Sequence, residues 1–305
     1  MLEEFNVFKK RVLIIGGTGK MGRWFAKFFR GKGFEVIISG RNPEKTRNVA
    51  KELEVEHVWP YVKAAKDVGM VIVSVPIEAT PQIVLEAASH LRKGTVLFDL
   101  ASVKHKVLPA LKKAQTYGVY TLSLHPMFGP GAETVKGKNI LVIPVTRKTK
   151  VLDFVLKPFL LDGAKIVFVK DAKTHDKMVA LTLALPHFLN MVFGKSLASV
   201  NINLNKLKNF GGTTFRLQLT LTESVLQEDP KLYASIQTNN KYFPKILEKF
   251  TKEFKELKNI VLKGEKEKFI NFFSETKEFL AKDKEFKEAY KKLYTILEER
   301  KILNW

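Results

Sequence analysis

Arg11–Gly22 reads RVLIIGGTGKMG, an aliphatic run that breaks into glycines before an amphipathic segment, Arg23–Gly31. Gly17, Gly19 and Gly22 match G-x-G-x-x-G between a strand pattern and a helix pattern, and a second aliphatic run, Glu35–Ser39, follows the helix. In that setting each glycine has a task. The first turns the chain sharply, the second lets backbone approach a pyrophosphate, and the third lets helix and strand pack closely. A helix N-terminus adds unpaired N–H donors and the positive end of a dipole. Gly17, Thr18, Gly19, Lys20, Met21 and Gly22 are therefore expected to hold a dinucleotide.

Which dinucleotide is read from the end of the second run, Ser39-Gly40-Arg41-Asn42-Pro43. An acidic residue there would accept from ribose hydroxyls and repel a 2′-phosphate, whereas the hydroxyl of Ser39 and the guanidinium of Arg41 would bind that phosphate. NADP is expected, with NAD as second choice; the plain alternative makes Arg41 an ordinary turn residue. Ser74-Val75-Pro76, closing a later aliphatic run, should pass beside the nicotinamide half.

Strand patterns recur at Met70–Val75, Thr95–Leu100, Val119–Leu124, Asn139–Pro144 and Lys165–Val169, alternating with helical stretches. That alternation predicts an α/β fold with a Rossmann-like, mostly parallel sheet over residues 1–172. Strand signals then stop, and 173–305 is expected to be an all-helical substrate and dimerisation domain, with helices at Asp176–Leu197 and Phe215–Leu226 and a Lys/Glu-rich tail. In the tail Phe243, Leu247, Phe250, Phe254, Leu257 and Val261 alternate steps of four and three up to Gly264, and a second apolar stripe runs from Phe269 to Leu297. Such stripes are buried either by an antiparallel helix pair within the domain or by a second subunit, which predicts a homodimer.

The 305 residues include 45% hydrophobic and 11% aromatic side chains, enough for a packed core, and no cysteine, which removes disulfides, thiolate metal sites and a thiol nucleophile. No apolar run is expected to reach the roughly 18 residues that span a bilayer, and the first ten residues lack a signal-peptide core, so the expected location is cytoplasmic, without membrane or metal. The formal charge is +21, from 52 Lys+Arg and 31 Asp+Glu. From Lys241 onward 17 Lys/Arg and 12 Asp/Glu interleave, leaving only +5 in the tail. Such a charge marks a nucleic-acid binder, a site for anionic substrates or simply a Lys-rich surface; nucleic-acid binding is the lesser reading, because no helix collects bases and aromatics on one face without acids between them.

Two segments at carboxyl ends of strands carry reactive side chains, Asp99–Lys104 (DLASVK) and His125–Pro130 (HPMFGP). His125 closes a strand, is followed by a proline and is the best general base in the chain. Ser102 either orients it or caps the helix beginning near His105.

These segments, with Val71–Pro76 (VIVSVP), Thr174–Asp176 (THD), Pro186–Phe188 (PHF) and Asp229–Tyr233 (DPKLY), resemble prephenate dehydrogenases, in the same order and over nearly the whole chain. The likeness is to the dehydrogenase part alone, without a mutase domain ahead of it. It implies oxidative decarboxylation of prephenate or arogenate in tyrosine biosynthesis: hydride passes to the nicotinamide, carbon dioxide leaves and the ring aromatises. By position His125 then takes the ring hydroxyl proton, Ser102 contacts both, His187 lines the substrate pocket, Asp176 supports the site and Lys104 either steers an anionic substrate or is simply solvated. One position departs. The family's substrate arginine corresponds to Ser224, which cannot fork onto a carboxylate. Arg216, two helical turns earlier, is the expected replacement, with Lys208 or a second subunit as alternatives. The departure opens a rival reading, a paralogue of the same fold acting on another small anionic acid. A third reading is a nucleotide-sensing or nucleic-acid-binding module without catalysis.

Overall fold

The computed structural model describes residues 10–299. Its strands are β1 (Arg11–Ile15), β2 (Glu35–Ser39), β3 (Glu56–His57), β4 (Met70–Val73), β5 (Val96–Asp99), β6 (Tyr120–Pro126), β7 (Asn139–Pro144) and β8 (Lys165–Phe168). They form one sheet in the order β3-β2-β1-β4-β5-β6-β7-β8, parallel throughout except that β7 runs against β6. This is the Rossmann-like, mostly parallel sheet that the alternating pattern predicts, and a helical region follows it. β3 went unforeseen because both its residues are exposed, so the edge strand has no apolar face to leave a pattern.

Sheet register aligns the strand ends. Ile15 pairs with Val73, Val73 with Asp99 and Asp99 with Ser123. Gly16, Ser74 and the loop after Asp99 therefore leave the sheet along one carboxyl edge, where open α/β sheets bind ligands. β6 continues past this row because His125 pairs with Leu141 and Pro126 with Ile140 on antiparallel β7. His125 thus lies on the same strand face as Ser123, held in a ladder rather than in a loop.

Around the sheet lie α1 (Lys20–Gly31), α2 (Pro43–Leu53), α3 (Thr80–His90), α4 (Val107–Ala114), α5 (Thr149–Leu161) and α6 (Ala172–Val179). α1 shows why periodicity worked: Gly22, Phe25, Ala26 and Phe29 are its buried residues, spaced three, four and seven apart. Phe28 stacks on Phe159 of α5 at 4.7 Å. After them come α7 (Leu185–Ser199), α8 (Leu204–Phe210), α9 (Thr213–Leu226), α10 (Pro230–Asn239), α11 (Phe243–Lys263), α12 (Lys266–Leu280) and α13 (Ala289–Glu299).

The chain divides into two compact units, one running to Val179 and including Ala234–Asn240, the other comprising Ala180–Tyr233 and the chain from Lys241. The division falls seven residues after the expected 172, because α6 and the end of α10 hydrogen-bond into the sheet unit: Asn240 donates to the Asp176 carbonyl at 2.8 Å. α6 starts earlier than predicted because the Asp171 side chain accepts from Thr174 N–H at 2.7 Å, an N-cap.

α6 and α7 are joined by a π-helical turn, Ala180–Ala184, just before Pro186. Proline cannot donate to the carbonyl four residues back, and the widened turn absorbs that misfit. The continuous run Ala172–Ser199 is, by length and composition, long and apolar enough to cross a bilayer, which corrects the expectation that no segment is. It also carries the fully buried His175 and Asp176, whose polar groups are satisfied inside the sheet unit.

In the second unit Phe188 of α7 covers the start of the predicted seam, 6.0 Å from Phe243 and 6.2 Å from Phe250, and α11 stops at Gly264 in a left-handed conformation (φ +65°). Phe254 and Val261 further along remain exposed, as do Phe269, Phe273 and Phe279 of α12. The second stripe is not one helix face: α12 ends at Leu280 and a short 3₁₀ turn at Phe286–Glu288 precedes α13.

Candidate active site

Gly16, not Gly17, makes the sharp turn after β1, at φ +86°; a Cβ there would lie 2.1 Å from the Ser74 carbonyl oxygen. Gly17 presses on β2, where a Cβ would reach 2.5 Å from that of Ile38, and its N–H donates to Ser39 O at 3.0 Å. A Cβ on Gly22 would meet Gly16 O at 2.3 Å, so α1 can pack against the turn only with glycine there. Gly19 is different: its missing Cβ clears only Gly16 O at 3.3 Å, leaving the end of α1 uncovered. No side chain caps that end and its first turn holds no acid. Backbone donors beside exposed Lys20, with the path kept open by Gly19, are what a pyrophosphate requires, so these residues fit a dinucleotide.

At the end of β2, Ser39 is buried and Arg41 exposed, while Asn42 caps α2 by accepting from Lys45 N–H at 2.9 Å. No carboxylate occupies the position that would select a free ribose. Ser74 and Val75 are half-buried and Pro76 exposed, on the same sheet edge as Gly16.

The chemical centre is a chain of hydrogen bonds ending at His125, which is only 4% exposed. His125 Nδ1 lies 3.0 Å from His175 Nε2, and His175 Nδ1 lies 2.8 Å from Asp176 Oδ1. Asp176 in turn accepts backbone N–H groups of Lys104 at 2.9 Å and His105 at 3.0 Å. Burial, then His175 and the Lys104 charge, hold the His125 pKa well below the ordinary imidazole value. Burial also lowers that of His175, against the pull of Asp176. A neutral, buried imidazole is suited to accept a proton from a substrate hydroxyl.

Lys104 is not where either expectation put it. Its side chain is 1% exposed, and its ammonium donates to Asp99 Oδ2 at 2.8 Å and to the Leu124 carbonyl at 2.7 Å. Asp99 also accepts from Ser123 Oγ at 2.5 Å and from Ala101 N–H at 2.8 Å. The lysine is thus turned inward to clamp β5 to β6, with its ammonium taken up by Asp99 and the Leu124 carbonyl rather than facing solvent. Ser102 is half-buried on the same loop; α4 begins only at Val107, so Ser102 does not cap it, and the partner of His125 is His175. The segments that hold His175 and Asp99 stood out in the sequence but gave neither residue a role of its own, although the cap at Asp171, which turns His175 inward on the first turn of α6, is legible as Asp-x-x-Thr.

Family models for the prephenate dehydrogenase nucleotide-binding domain and for the prephenate dehydrogenase dimerization domain match residues 25–168 and 171–275. The chain belongs to the prephenate dehydrogenase family. A probable arogenate/prephenate dehydrogenase of Methanocaldococcus jannaschii is 33% identical over 270 residues, 87% of this chain and 59% of that protein. The T-protein of Enterobacter agglomerans is 32% identical over 269 residues, 88% of this chain and 67% of that protein. The chain therefore spans about three-fifths to two-thirds of the length of these relatives. Among solved structures, prephenate dehydrogenase from A. aeolicus in complex with hydroxyphenyl propionate and NAD+ superposes with a TM-score of 0.70 at 22% identity, covering 90% of this chain and 98% of that one, which shows the shared fold.

The remaining expected residues of this family member lie in the second unit. His187, near the start of α7, rests on the Tyr233 ring at 4.5 Å; its Nδ1 is buried without a partner, and burial pushes its pKa down to about 4. Arg216 on α9 donates to the Lys208 carbonyl at 2.9 Å, and the Lys208 ammonium stands 3.6 Å from Glu223. The guanidinium ties α8 to α9 and the lysine has an acid beside it, so neither is an uncommitted cation. Ser224 is exposed and returns its hydroxyl to Leu221 O at 2.8 Å. Among the described residues no cluster of histidines and acids could hold a metal ion.

Proposed function

We propose that the protein is an NADP-preferring dehydrogenase that oxidatively decarboxylates prephenate or arogenate, with His125 as the base. The observation that carries this reading is the buried His125, whose Nδ1 is engaged by His175, placed two residues beyond the row of strand ends that also bears the glycine turn. Gly17–Gly22 would hold the pyrophosphate of the dinucleotide and Ser39 and Arg41 its 2′-phosphate, and the cofactor would supply the hydride acceptor. The chain does the rest. His125 takes the ring hydroxyl proton while hydride departs from the same carbon, and loss of carbon dioxide aromatises the ring. Because aromatisation drives the step, the protein's contribution is orientation and a ready proton acceptor. Ser102 shares the substrate hydroxyl with His125, and by the family resemblance His187 is the substrate-binding residue of the second unit. The enzyme acts as a cytoplasmic homodimer through the region matched by the dimerization model.

The test is NADPH formation from prephenate and from arogenate, with NAD in parallel. Turnover with at least one substrate is expected, falling about 10²–10⁴-fold in His125→Asn, the usual contribution of a general base. A folded, NADP-binding protein that turns over neither substrate refutes the reading. Ser224 supports the rival substrate: with no arginine at that position and Arg216 committed to Lys208, another small anionic acid is the alternative. Gain of prephenate turnover in Ser224→Arg would favour that view.

A further inference from the structure

Asp176 is a buried carboxylate that can only accept, and it already takes the N–H groups of Lys104 and His105. The third group against it, His175 Nδ1 at 2.8 Å, must therefore be an N–H. A neutral His175 then has a bare Nε2. That nitrogen lies 3.0 Å from His125 Nδ1, and two bare nitrogens at that distance would face lone pair to lone pair. Nδ1 of His125 must carry the hydrogen, which leaves its Nε2 bare.

We propose that His175 is a positioning residue that, by accepting from Nδ1–H of His125 while donating to Asp176, locks His125 in the tautomer whose Nε2 is the proton acceptor. The opposite arrangement requires a charged imidazolium at His175, which is 1% exposed and in a site that already holds the Lys104 ammonium. Burial disfavours that charge. Free imidazole in water favours the Nε2–H form, so without such an acceptor most His125 rings would present a hydrogen where a lone pair is needed. The inference rests on the proposed role of His125 but is tested separately from it.

The full-length protein, labelled with ¹⁵N-histidine, reports which ring nitrogens are protonated with no substrate present. His125 should show a protonated Nδ1 and a bare Nε2. His175→Gln places an amide oxygen where Nε2 was and should keep this pattern; His175→Phe keeps the bulk without an acceptor and should shift His125 toward the Nε2–H form. In turnover, His175→Phe should lose about 10²–10⁴-fold in kcat, the scale of a wrong tautomer, at nearly unchanged KM, and His175→Gln should recover to within about tenfold of the parent. An Nε2–H His125 in the parent protein, or an unaltered tautomer and kcat in His175→Phe, overturns the proposal. Should the phenylalanine variant fail to fold, the parent and glutamine spectra decide. Should neither prephenate nor arogenate react, the functional reading fails while the spectra still judge the lock.

Discussion

His125, His175 and His187 are each held below the ordinary imidazole range, in every case first by burial, and His187 as far as about 4. The unfolded chain binds protons at 6.5 that the folded one refuses until lower pH, so stability should be complete above 6.5 and fall as pH drops from 6.5 toward 4. Melting temperatures measured across that window should decline, and His187→Asn should flatten part of the slope. With His125 as the proposed base, the same burial should place the acid limb of kcat/KM below 6.5, read from a pH-rate profile. Arg41→Ala should weaken NADP about tenfold while sparing NAD, the loss of one charge-assisted contact, read from cofactor titrations. His125 was legible as one residue closing a strand before a proline. Its partner was not, because His175 lies fifty positions away and meets it only once α6 has docked.

At the scale of elements, the glycine turn and the Lys104 clamp decide whether the site exists. Gly22→Ala sets a methyl 2.3 Å from a backbone oxygen, which cannot be relieved by moving a side chain; about 1–3 kcal/mol of stability and most dinucleotide binding should be lost, measured by denaturation and fluorescence titration. Lys104→Met strands Asp99 without its cation in a fully buried position, and removing one partner of such a pair costs about 3–5 kcal/mol. The strands were readable because aliphatic runs buried on both faces leave an unbroken pattern. Lys104 was not, since a lysine before a helix looks the same in sequence whether it points into solvent or under the sheet.

For the molecule as a whole, the second unit leaves Leu189 and Val192 of α7 exposed one helical turn apart, with Phe254, Phe269 and Phe273 exposed elsewhere. Apolar surface of this kind on a region matched by a dimerization model calls for a second copy. Light scattering should give twice the 34.8 kDa chain mass, and Val192→Glu should shift the population toward monomer. The +21 charge is a property of the whole surface, and in the tail it is largely neutralised by interleaved acids.

Sequence alone determined the alternation of strands and helices, the glycine turn and the place of the histidine proposed as the base, because periodicity, glycine spacing and a strand-ending histidine are local signals that depend on near neighbours. Tertiary structure decided that Gly16 makes the turn, that Lys104 faces inward and that His175 and Asp176 stand behind His125. Each of those facts depends on which distant backbone comes within about 3 Å once the sheet has closed, and no spacing along the chain encodes that distance.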